Sequence, residues 1–387
     1  MTAAIAGLGL TEVGKVYGRS ATDLAAEAVR LAVADSGLDL SDVDGLLVTP
    51  GTQGAPKLSL QKVLGLRDLT LLAEISVLGA SPAVMIAYAA AAVAAGEAST
   101  VACVFADAPL KPKGSGRDAF GSARSGNFKG PSGFAGYHAG IGMVTPNLFY
   151  ALAAQRHFSA FGTTSEQLGS IAVAQRSWAA LNPNAQHRDL ISLGQHQDSP
   201  MIAEPLHLLD ICLVSNGAAA VIVTSAERAR DLAQPAVDIL GWSQAHPGRI
   251  MERNSDFGIR TGAAVAGPAA LRMAGLTTKD VDMLQLYDCY TFTVLVTLED
   301  YGFCGKGEGG AFVADGALGP AGTLPCNTGG GQLSAFYLSG FTPVVEAVAQ
   351  GRGTAGARQV SKRDVIMVSG NGGVLEHHAT LILGGAQ

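Results

Sequence analysis

The chain carries one pattern twice, as SGLDLSDVDGLLV (residues 36–48) and as AGLTTKDVDMLQLYD (residues 274–288). Both copies read Gly-Leu, three residues, Asp-Val-Asp, one residue and Leu. Each copy follows a segment with helical spacing of apolar residues and leads into an apolar run typical of a strand. Gly37 and Gly275 suit the C-terminal ends of these helices, where a left-handed backbone is common. Chance similarity is the alternative in a chain rich in Ala and Gly, but the shared order of helix, turn and strand favours duplication of an α/β unit.

The repeat predicts an α/β fold of two similar halves, which we place at residues 1–230 and 231–387. The stretch from about residue 110 to residue 207 differs, because it is rich in Gly, Ser, Lys and polar helical segments. Such a stretch is typical of an inserted loop domain that covers a site on a rigid scaffold. Its segment GSGRDAFGSARSGNFKGPSGFAGYHAG (residues 114–140) has a loop-like composition, and its His138 is a candidate to approach the covered site.

Composition restricts the class of function. Hydrophobic residues make up 48% of the chain and charged residues only 15%, so a monomer has little charge to solvate its surface and we expect an oligomer. The net charge of −6 and the absence of a basic face argue against nucleic acid as a ligand. The five cysteines are odd in number and form no Cys-x-x-Cys pair, which predicts neither a disulfide framework nor a structural zinc site. A reducing cytoplasm fits this pattern.

Targeting and membrane signals are also lacking in the sequence. The N-terminal stretch MTAAIAGLGLTEVGKV (residues 1–16) has no basic region followed by a long apolar core, and we interpret it as a first strand rather than a signal peptide. The longest apolar run, Ala83–Ala95, is too short to span a bilayer, which needs about 20 residues. It therefore predicts a buried helix and no membrane span.

Common catalytic motifs fail in this chain. GLGL at Gly7 lacks the third glycine of a dinucleotide fingerprint, because Glu12 stands in its place. No Gly-x-Ser-x-Gly elbow, His-Glu-x-x-His or Walker-type Gly-Lys-Ser occurs. His377 and His378 are adjacent on a predicted strand and should face opposite ways, which argues against metal ligation by that pair. We predict no metal site.

Three loops of the second half instead carry the chemically informative residues: YDCYTF (residues 287–292), LPCNTGGGQLSAFYLSGF (324–341) and VIMVSGNGGVLEHHATLIL (365–383). The Gly-Gly-Gly and Gly-Asn-Gly-Gly runs permit close approach of backbone N–H groups to an oxyanion or a thioester. With these loops the chain resembles the thiolase superfamily over nearly its full length, specifically its thiolase-like lipid-transfer (sterol-carrier) branch. The resemblance implies an αβαβα layered fold of two similar halves with an inserted loop domain.

The reactive residues of that family are missing from their places. The family's second-half loops read His-Asp-Cys-Phe or Asn-Glu-x-Phe, Asn-x-x-Gly-Gly…Gly-His-Pro and Cys-x-Gly, and its nucleophile lies in Asn-x-x-Cys-x-Ser-Gly. On that pattern SVLGASP (residues 76–82) places Gly79 at the nucleophilic cysteine, Tyr287 at the first histidine and Tyr337 at the catalytic histidine. Ser369, Gly370 and Asn371 stand where the final cysteine is expected. Thiolysis needs a thiolate and the histidine that activates it, so we do not expect thiolysis by the family's usual route.

The substitutions resemble those of the steroid side-chain-cleaving aldolases of the same branch. The resemblance implies retro-aldol cleavage of a β-hydroxyacyl-CoA, with a steroid side chain as the suggested acyl group and no cysteine acyl-enzyme. It assigns Tyr287 and Tyr337 as the acid and base, with Tyr337 the first choice as base. Supporting, oxyanion or loop-orienting roles fall on Asp288, Asn327, Gly330, Gly331, Asn371, Gly372 and Gly373. It further implies a cytoplasmic homodimer, no cofactor beyond the CoA of the substrate, and a partner protein built of an OB-fold and a zinc ribbon that binds acyl-CoA.

Two other functions remain open at this stage. A tyrosine at the end of a strand is usually a structural residue with its hydroxyl satisfied, so the chain could be a non-catalytic acyl-CoA-binding or scaffold homologue. Cys289, the one cysteine beside the predicted site, could instead serve a thiolase or acyltransferase as nucleophile. Replacement of both histidines of one catalytic set by tyrosines favours the aldolase.

Overall fold

The computed structural model describes residues 2–114, 140, 142–143, 145–248 and 256–386, so the segment around His138 lies outside the described residues. Within them one mixed sheet has nine strands, in the order β3-β2-β4-β7-β1-β8-β11-β10-β9. The strands are β1 (Ala3–Leu10), β2 (Gly45–Thr49), β3 (Leu71–Glu74), β4 (Thr100–Asp107), β7 (Gly217–Ser225), β8 (Val237–Ala245), β9 (Met283–Gln285), β10 (Val365–Gly372) and β11 (His377–Gly384). A small hairpin consists of β5 (Met201–Ala203) and β6 (Leu206–His207).

The described helices in chain order are α1 (Ala21–Ser36), α2 (Leu60–Leu64), α3 (Ser81–Ala95), α4 (Pro146–Phe161), α5 (Ser165–Ala180), α6 (Leu193–Gln197), α7 (Ala226–Ala229), α8 (Ala263–Ala274), α9 (Thr291–Tyr301), α10 (Gly309–Ala314) and α11 (Phe341–Arg352). A short π-helix spans Gly331–Ala335. The first predicted strand is confirmed as β1, and the apolar run Ala83–Ala95 is confirmed as part of a helix, α3.

The two halves of the sheet mirror each other about its centre. Strands β1 and β8 pair there antiparallel. Outward from β1 come β7, β4, β2 and the edge strand β3, and outward from β8 come β11, β10 and β9. Strand β2 pairs parallel with both β4 and β3, and β10 pairs parallel with β9, whereas the inner pairs are antiparallel. The predicted duplication of an α/β unit is therefore confirmed, and the position 230/231 falls between α7 and β8.

The repeated sequence has the same local structure in both copies. Gly37 and Gly275 end α1 and α8 with φ of 77° and 71°. A turn of 3-10 helix follows each, and then strand β2 or β9 begins. The second aspartate of each copy accepts backbone N–H bonds at the start of the neighbouring parallel strand, Asp44 from Thr100 at 2.8 Å and Asp282 from Val365 at 3.0 Å. These carboxylates fix the register between the two strands of each pair.

Helices α3 and α11 lie between the two halves of the sheet, and each contacts strands of both. Their apolar side chains form one core with the inward faces of the strands, including Met85, Phe341 and Val344. Helix α1 covers the outer face of the first half, and α8 and α9 cover that of the second. The predicted αβαβα layering is confirmed. The segment Leu78–Ala95 is long and apolar enough to cross a membrane by composition alone, but 67% of it is buried, as in the core helix of a folded protein.

Described parts of the predicted loop domain, which we placed at about residues 110–207, pack on the second half. Helix α5 contacts α9, α10 and the π-helix. Tyr150 of α4 belongs to the same buried cluster as Tyr287 and Phe292. The inserted segment therefore lies against the three loops singled out in the sequence.

Candidate active site

Tyr287 lies in the loop that connects β9 to α9, and this loop is held on both sides. The side-chain oxygen of Asn327 accepts a bond from the Leu286 N–H at 2.6 Å. The Ser369 hydroxyl accepts a bond from the Tyr287 N–H at 2.9 Å. Residues of the second and third loops thus fix the backbone of the first, because a buried N–H must find an acceptor. The loop that follows β9 is therefore held in one position at the point where Tyr287 leaves the strand.

Asp288 ties the same loop to the glycine-rich loop. Its buried carboxylate accepts the Gln332 N–H at 2.9 Å and the Leu333 N–H at 3.3 Å, at the N-terminus of the π-helix. Burial raises the pKa of Asp288 to about 7, although these backbone donors act in the opposite direction. Gly331 makes the approach possible: its φ is 60°, and a Cβ there would overlap the Asp288 carboxylate and lie 2.8 Å from the Gln175 side-chain oxygen.

Tyr337 follows the π-helix and faces Tyr287. Its N–H donates to the Ser215 hydroxyl at 2.9 Å, which also accepts from the Gln186 side chain at 2.8 Å. The hydroxyl oxygens of Tyr287 and Tyr337 lie 3.2 Å apart. Tyr287 is 5% exposed, and Tyr337 is half-buried. The structure therefore brings together the two tyrosines that the sequence placed at the family's histidine positions.

The ring of Tyr287 occupies the space in front of Gly79. A Cβ built on Gly79 would lie 2.5 Å from Cε2 of that ring, and it would also overlap the backbone oxygen of Asn371. Gly79 belongs to a 3-10 turn that leads directly into α3. The place from which a side-chain nucleophile would project is filled by a phenol ring.

Both phenols are neutral at pH 7. Burial raises the pKa of Tyr287 and that of Tyr337 above the ordinary value for tyrosine. Either hydroxyl can donate to the other; when Tyr287 donates, the bond lowers the pKa of Tyr337, since it stabilises a negative charge on the accepting oxygen. The pair can therefore donate protons and pass a proton from one oxygen to the other.

Cys289 is unsuited to nucleophilic attack. The residue is 8% exposed, and burial raises the pKa of its thiol to about 12. The thiolate, rather than the thiol, is the nucleophile of cysteine enzymes. The raised pKa of Cys289 thus argues against a thiolase that uses this residue as its nucleophile.

Helix α4 contributes two residues, Asn147 and Tyr150, whose contacts with the site the sequence did not reveal. The Tyr150 hydroxyl donates to the Gly373 carbonyl at 2.6 Å and accepts from the Asn371 side chain at 3.1 Å. Its ring stacks on that of Tyr290, with centroids 4.3 Å apart. The Tyr290 hydroxyl donates to the Asn147 side-chain oxygen at 2.6 Å. No motif in the sequence marks either Asn147 or Tyr150.

The predicted residues fall into two groups. The ring of Tyr287, which faces Tyr337, and the backbone oxygen of Asn371 both border Gly79, and Gly373 is joined to Asn371 through Tyr150. In the second group, Asp288, Asn327 and Gly331 line a cavity together with Gln285, Glu346 and Arg358. Gly330 adopts a φ of 96° at the start of the π-helix, and Gly372 ends β10. Among the residues that the structure describes, no group of three or more His, Cys, Asp or Glu side chains is placed to hold a metal ion.

Comparison with known proteins identifies relatives of this chain. The family described as "Thiolase C-terminal domain-like" matches residues 243–385. The chain is 38% identical to the "Steroid side-chain-cleaving aldolase" of Thermomonospora curvata, over 96% of this chain and 95% of that one. It is 36% identical to the "17-hydroxy-3-oxo-4-pregnene-20-carboxyl-CoA lyase" of Mycobacterium tuberculosis, over 96% of each.

A solved structure agrees as well. The protein described as "Ltp2-ChsH2(DUF35) aldolase" superposes with a TM-score of 0.88 at 36% identity, and the match covers 99% of this chain and 98% of that one. Fold and site together define a thiolase-type protein. The chain belongs to the thiolase superfamily, in the lipid-transfer (sterol-carrier) branch that includes the steroid side-chain-cleaving aldolases.

Proposed function

We propose that this protein is a carbon–carbon lyase that cleaves a β-hydroxyacyl-CoA by a retro-aldol reaction, giving a ketone or aldehyde and a shortened acyl-CoA. A steroid side chain is the proposed acyl group, in line with the substrates named for its relatives. The observation that carries the proposal is the pair of phenol oxygens 3.2 Å apart in front of Gly79. Such a site can move protons but offers no side chain at position 79 to carry an acyl group.

Tyr337 is the proposed base, because it is half-buried and a negative charge on it is better solvated than one on the fully buried Tyr287. The proton of the substrate hydroxyl passes to the Tyr337 oxygen while the Cα–Cβ bond breaks. The hydroxyl carbon becomes a carbonyl, and the bonding pair enters a thioester enolate. Tyr337 gives its own proton to Tyr287, and Tyr287 protonates the α-carbon. Each phenol ends as it began, so the relay needs no free phenolate.

The glycine-rich loops have supporting roles in this proposal. Asp288 and Asn327 hold the loop that carries Tyr287, through the bonds described above. Backbone N–H groups of Gly331, Gly372 and Gly373 are the proposed donors for the enolate oxygen or the thioester, since fixed dipoles stabilise developing charge at low cost. The Gly330 N–H instead donates to the Asn327 carbonyl at 2.8 Å, and its proposed role is to shape the turn. Asn371 borders both Gly79 and Tyr150, and it is the proposed wall of the site on that side.

We further propose a DUF35-type partner, built of an OB-fold and a zinc ribbon, that binds the acyl-CoA. Support comes from the DUF35 component in the description of the similar solved aldolase. A homodimer is proposed as well: β3 is an edge strand of the described sheet, and Leu72, Leu78 and Tyr88, on β3 and around α3, are 38%, 60% and 39% exposed. We also propose that the protein is cytoplasmic and that it needs no cofactor other than the CoA of its substrate.

The test is a product assay with the purified protein, alone and with its DUF35-type partner. The substrate is a β-hydroxyacyl-CoA with a tertiary alcohol on a steroid ring, and mass spectrometry follows the ketone and the short acyl-CoA. Stoichiometric formation of both products is expected. Binding of acyl-CoA without cleavage, with the partner present and across several acyl chains, would instead indicate a scaffold protein.

A further inference from the structure

Helix α4 holds the reactive loops in place through one face of its first turn. Asn147 and Tyr150 are three residues apart and therefore lie on the same side of the helix. Asn147 binds the Tyr290 hydroxyl, and Tyr150 stacks on the Tyr290 ring. These contacts attach the inserted segment to the loop that carries Tyr287.

The Tyr150 hydroxyl extends the attachment to a second loop. It accepts a hydrogen bond from the Asn371 side-chain N–H and donates one to the Gly373 carbonyl. The residue is 3% exposed, so its hydrogen bonds are made in a low-dielectric surrounding where a lost partner is costly. A single side chain thus joins the loop after β9 to the loop after β10.

Asn371, near the end of β10, in turn borders the space available to Tyr287. The backbone oxygen of Asn371 and the ring of Tyr287 both border the empty Cβ position of Gly79. A displacement of Asn371 therefore alters the surroundings of the Tyr287 ring and its distance to Tyr337. Small displacements of reacting groups can lower a rate about a hundredfold.

We infer that Tyr150 is a positioning residue that, through Asn371 and Tyr290, sets the separation of the Tyr287 and Tyr337 hydroxyls. The inference rests on the proposed aldolase function for its catalytic consequence, while the coupling between α4 and the two loops is a property of the structure alone. The inserted segment then completes the catalytic geometry in addition to covering it.

Kinetics of three variants test the inference. Tyr150→Phe keeps the ring stack and removes the hydroxyl, and kcat should fall about tenfold or more with KM changed less than about threefold. Tyr150→Ala also removes the stack and should lower kcat further. Thr163→Val is the matched control, because it removes a 2.9 Å contact to His157 near the other end of α4 without touching either loop. The control should keep kcat within about twofold of the wild type. An equal loss of kcat in Thr163→Val would overturn the inference, since general loosening of α4 would then explain both.

Hydrogen exchange provides a readout that does not depend on turnover. Peptides covering residues 287–293 and 369–376 should exchange faster in Tyr150→Phe than in the wild type, and Thr163→Val should leave them unchanged. Unchanged exchange in Tyr150→Phe would contradict the inference even if the aldolase function holds. If Tyr150→Phe exchanges faster than the wild type but the wild type never cleaves substrate, the proposed function is wrong and the coupling of α4 to the two segments still holds.

Discussion

The ring of Tyr287 occupies the space into which a side chain on Gly79 would project. Its Cε2 atom lies 2.5 Å from the position that a Cβ on Gly79 would take. The two residues come from opposite halves of the chain and meet where α3 enters the core. The lack of a side chain at position 79 and the placement of the Tyr287 ring are thus one packing arrangement. A thiol at position 79 and the present position of Tyr287 exclude each other.

Gly79→Ala should therefore destabilise the protein and abolish cleavage, because the Asn371 backbone as well as the Tyr287 ring must move to admit a Cβ. We expect a loss of about 2 kcal/mol or more in the free energy of unfolding, as for other overpacked cores. Urea denaturation and the product assay measure the two effects. Gly194→Ala is the control, because its Cβ would meet its nearest neighbour at 3.7 Å. Wild-type stability in Gly79→Ala would disprove the close packing described here.

Tyr337→Phe and Tyr287→Phe should each lower kcat by about a hundredfold or more while acyl-CoA binding persists. Each variant removes one oxygen of the relay and leaves the ring in place, and general acid–base catalysis contributes factors of this size. Steady-state kinetics and direct binding measurements separate the two effects. Tyr17→Phe, at a residue 39% exposed on the first half, is the matched control. Full activity in either active-site variant would refute the phenol relay.

Cleavage should be insensitive to iodoacetamide at about neutral pH. Burial raises the pKa of Cys289 and that of Cys304 to about 12, and it raises the pKa of Cys103, Cys212 and Cys326 as well, so little thiolate exists to react. Mass spectrometry of treated protein should show an unmodified Cys289 peptide, whereas urea-unfolded protein should be alkylated throughout. Inactivation that acyl-CoA prevents would point to a cysteine nucleophile instead.

Asp288 should make stability depend on pH. Its folded-state pKa of about 7 lies above the ordinary value of 3.8, so the folded state binds more protons than the unfolded state between those values. The contribution is full below the unfolded pKa and is lost as pH rises through about 7. The free energy of unfolding of the wild type, relative to Asp288→Asn, should thus fall between about pH 5 and about pH 8.

Urea denaturation of both proteins at several pH values checks this expectation, with the exposed Asp315→Asn as control. A difference between wild type and Asp288→Asn that stays constant, or that grows with pH, would show that Asp288 is ionised throughout this range. The backbone donors of Gln332 and Leu333 would then lower the pKa of Asp288 by more than burial raises it.

The sequence by itself determined the local units of this protein. The repeat predicted both helix–turn–strand units, since a glycine at the helix end and an aspartate in the turn act through neighbours a few residues away. The periodicity also predicted the first strand and the buried helix α3. The resemblance of the loops indicated the family, the missing nucleophile at Gly79 and the two tyrosines.

Only the tertiary structure decided how these residues meet. The contact of Gly79 with Tyr287, the 3.2 Å between the two phenols and the attachment of α4 through Tyr150 join segments that are distant in the chain. No local pattern encodes them, because each depends on the packing of one layer against another. The raised pKa of Asp288 likewise follows from burial, which arises only when the loops assemble.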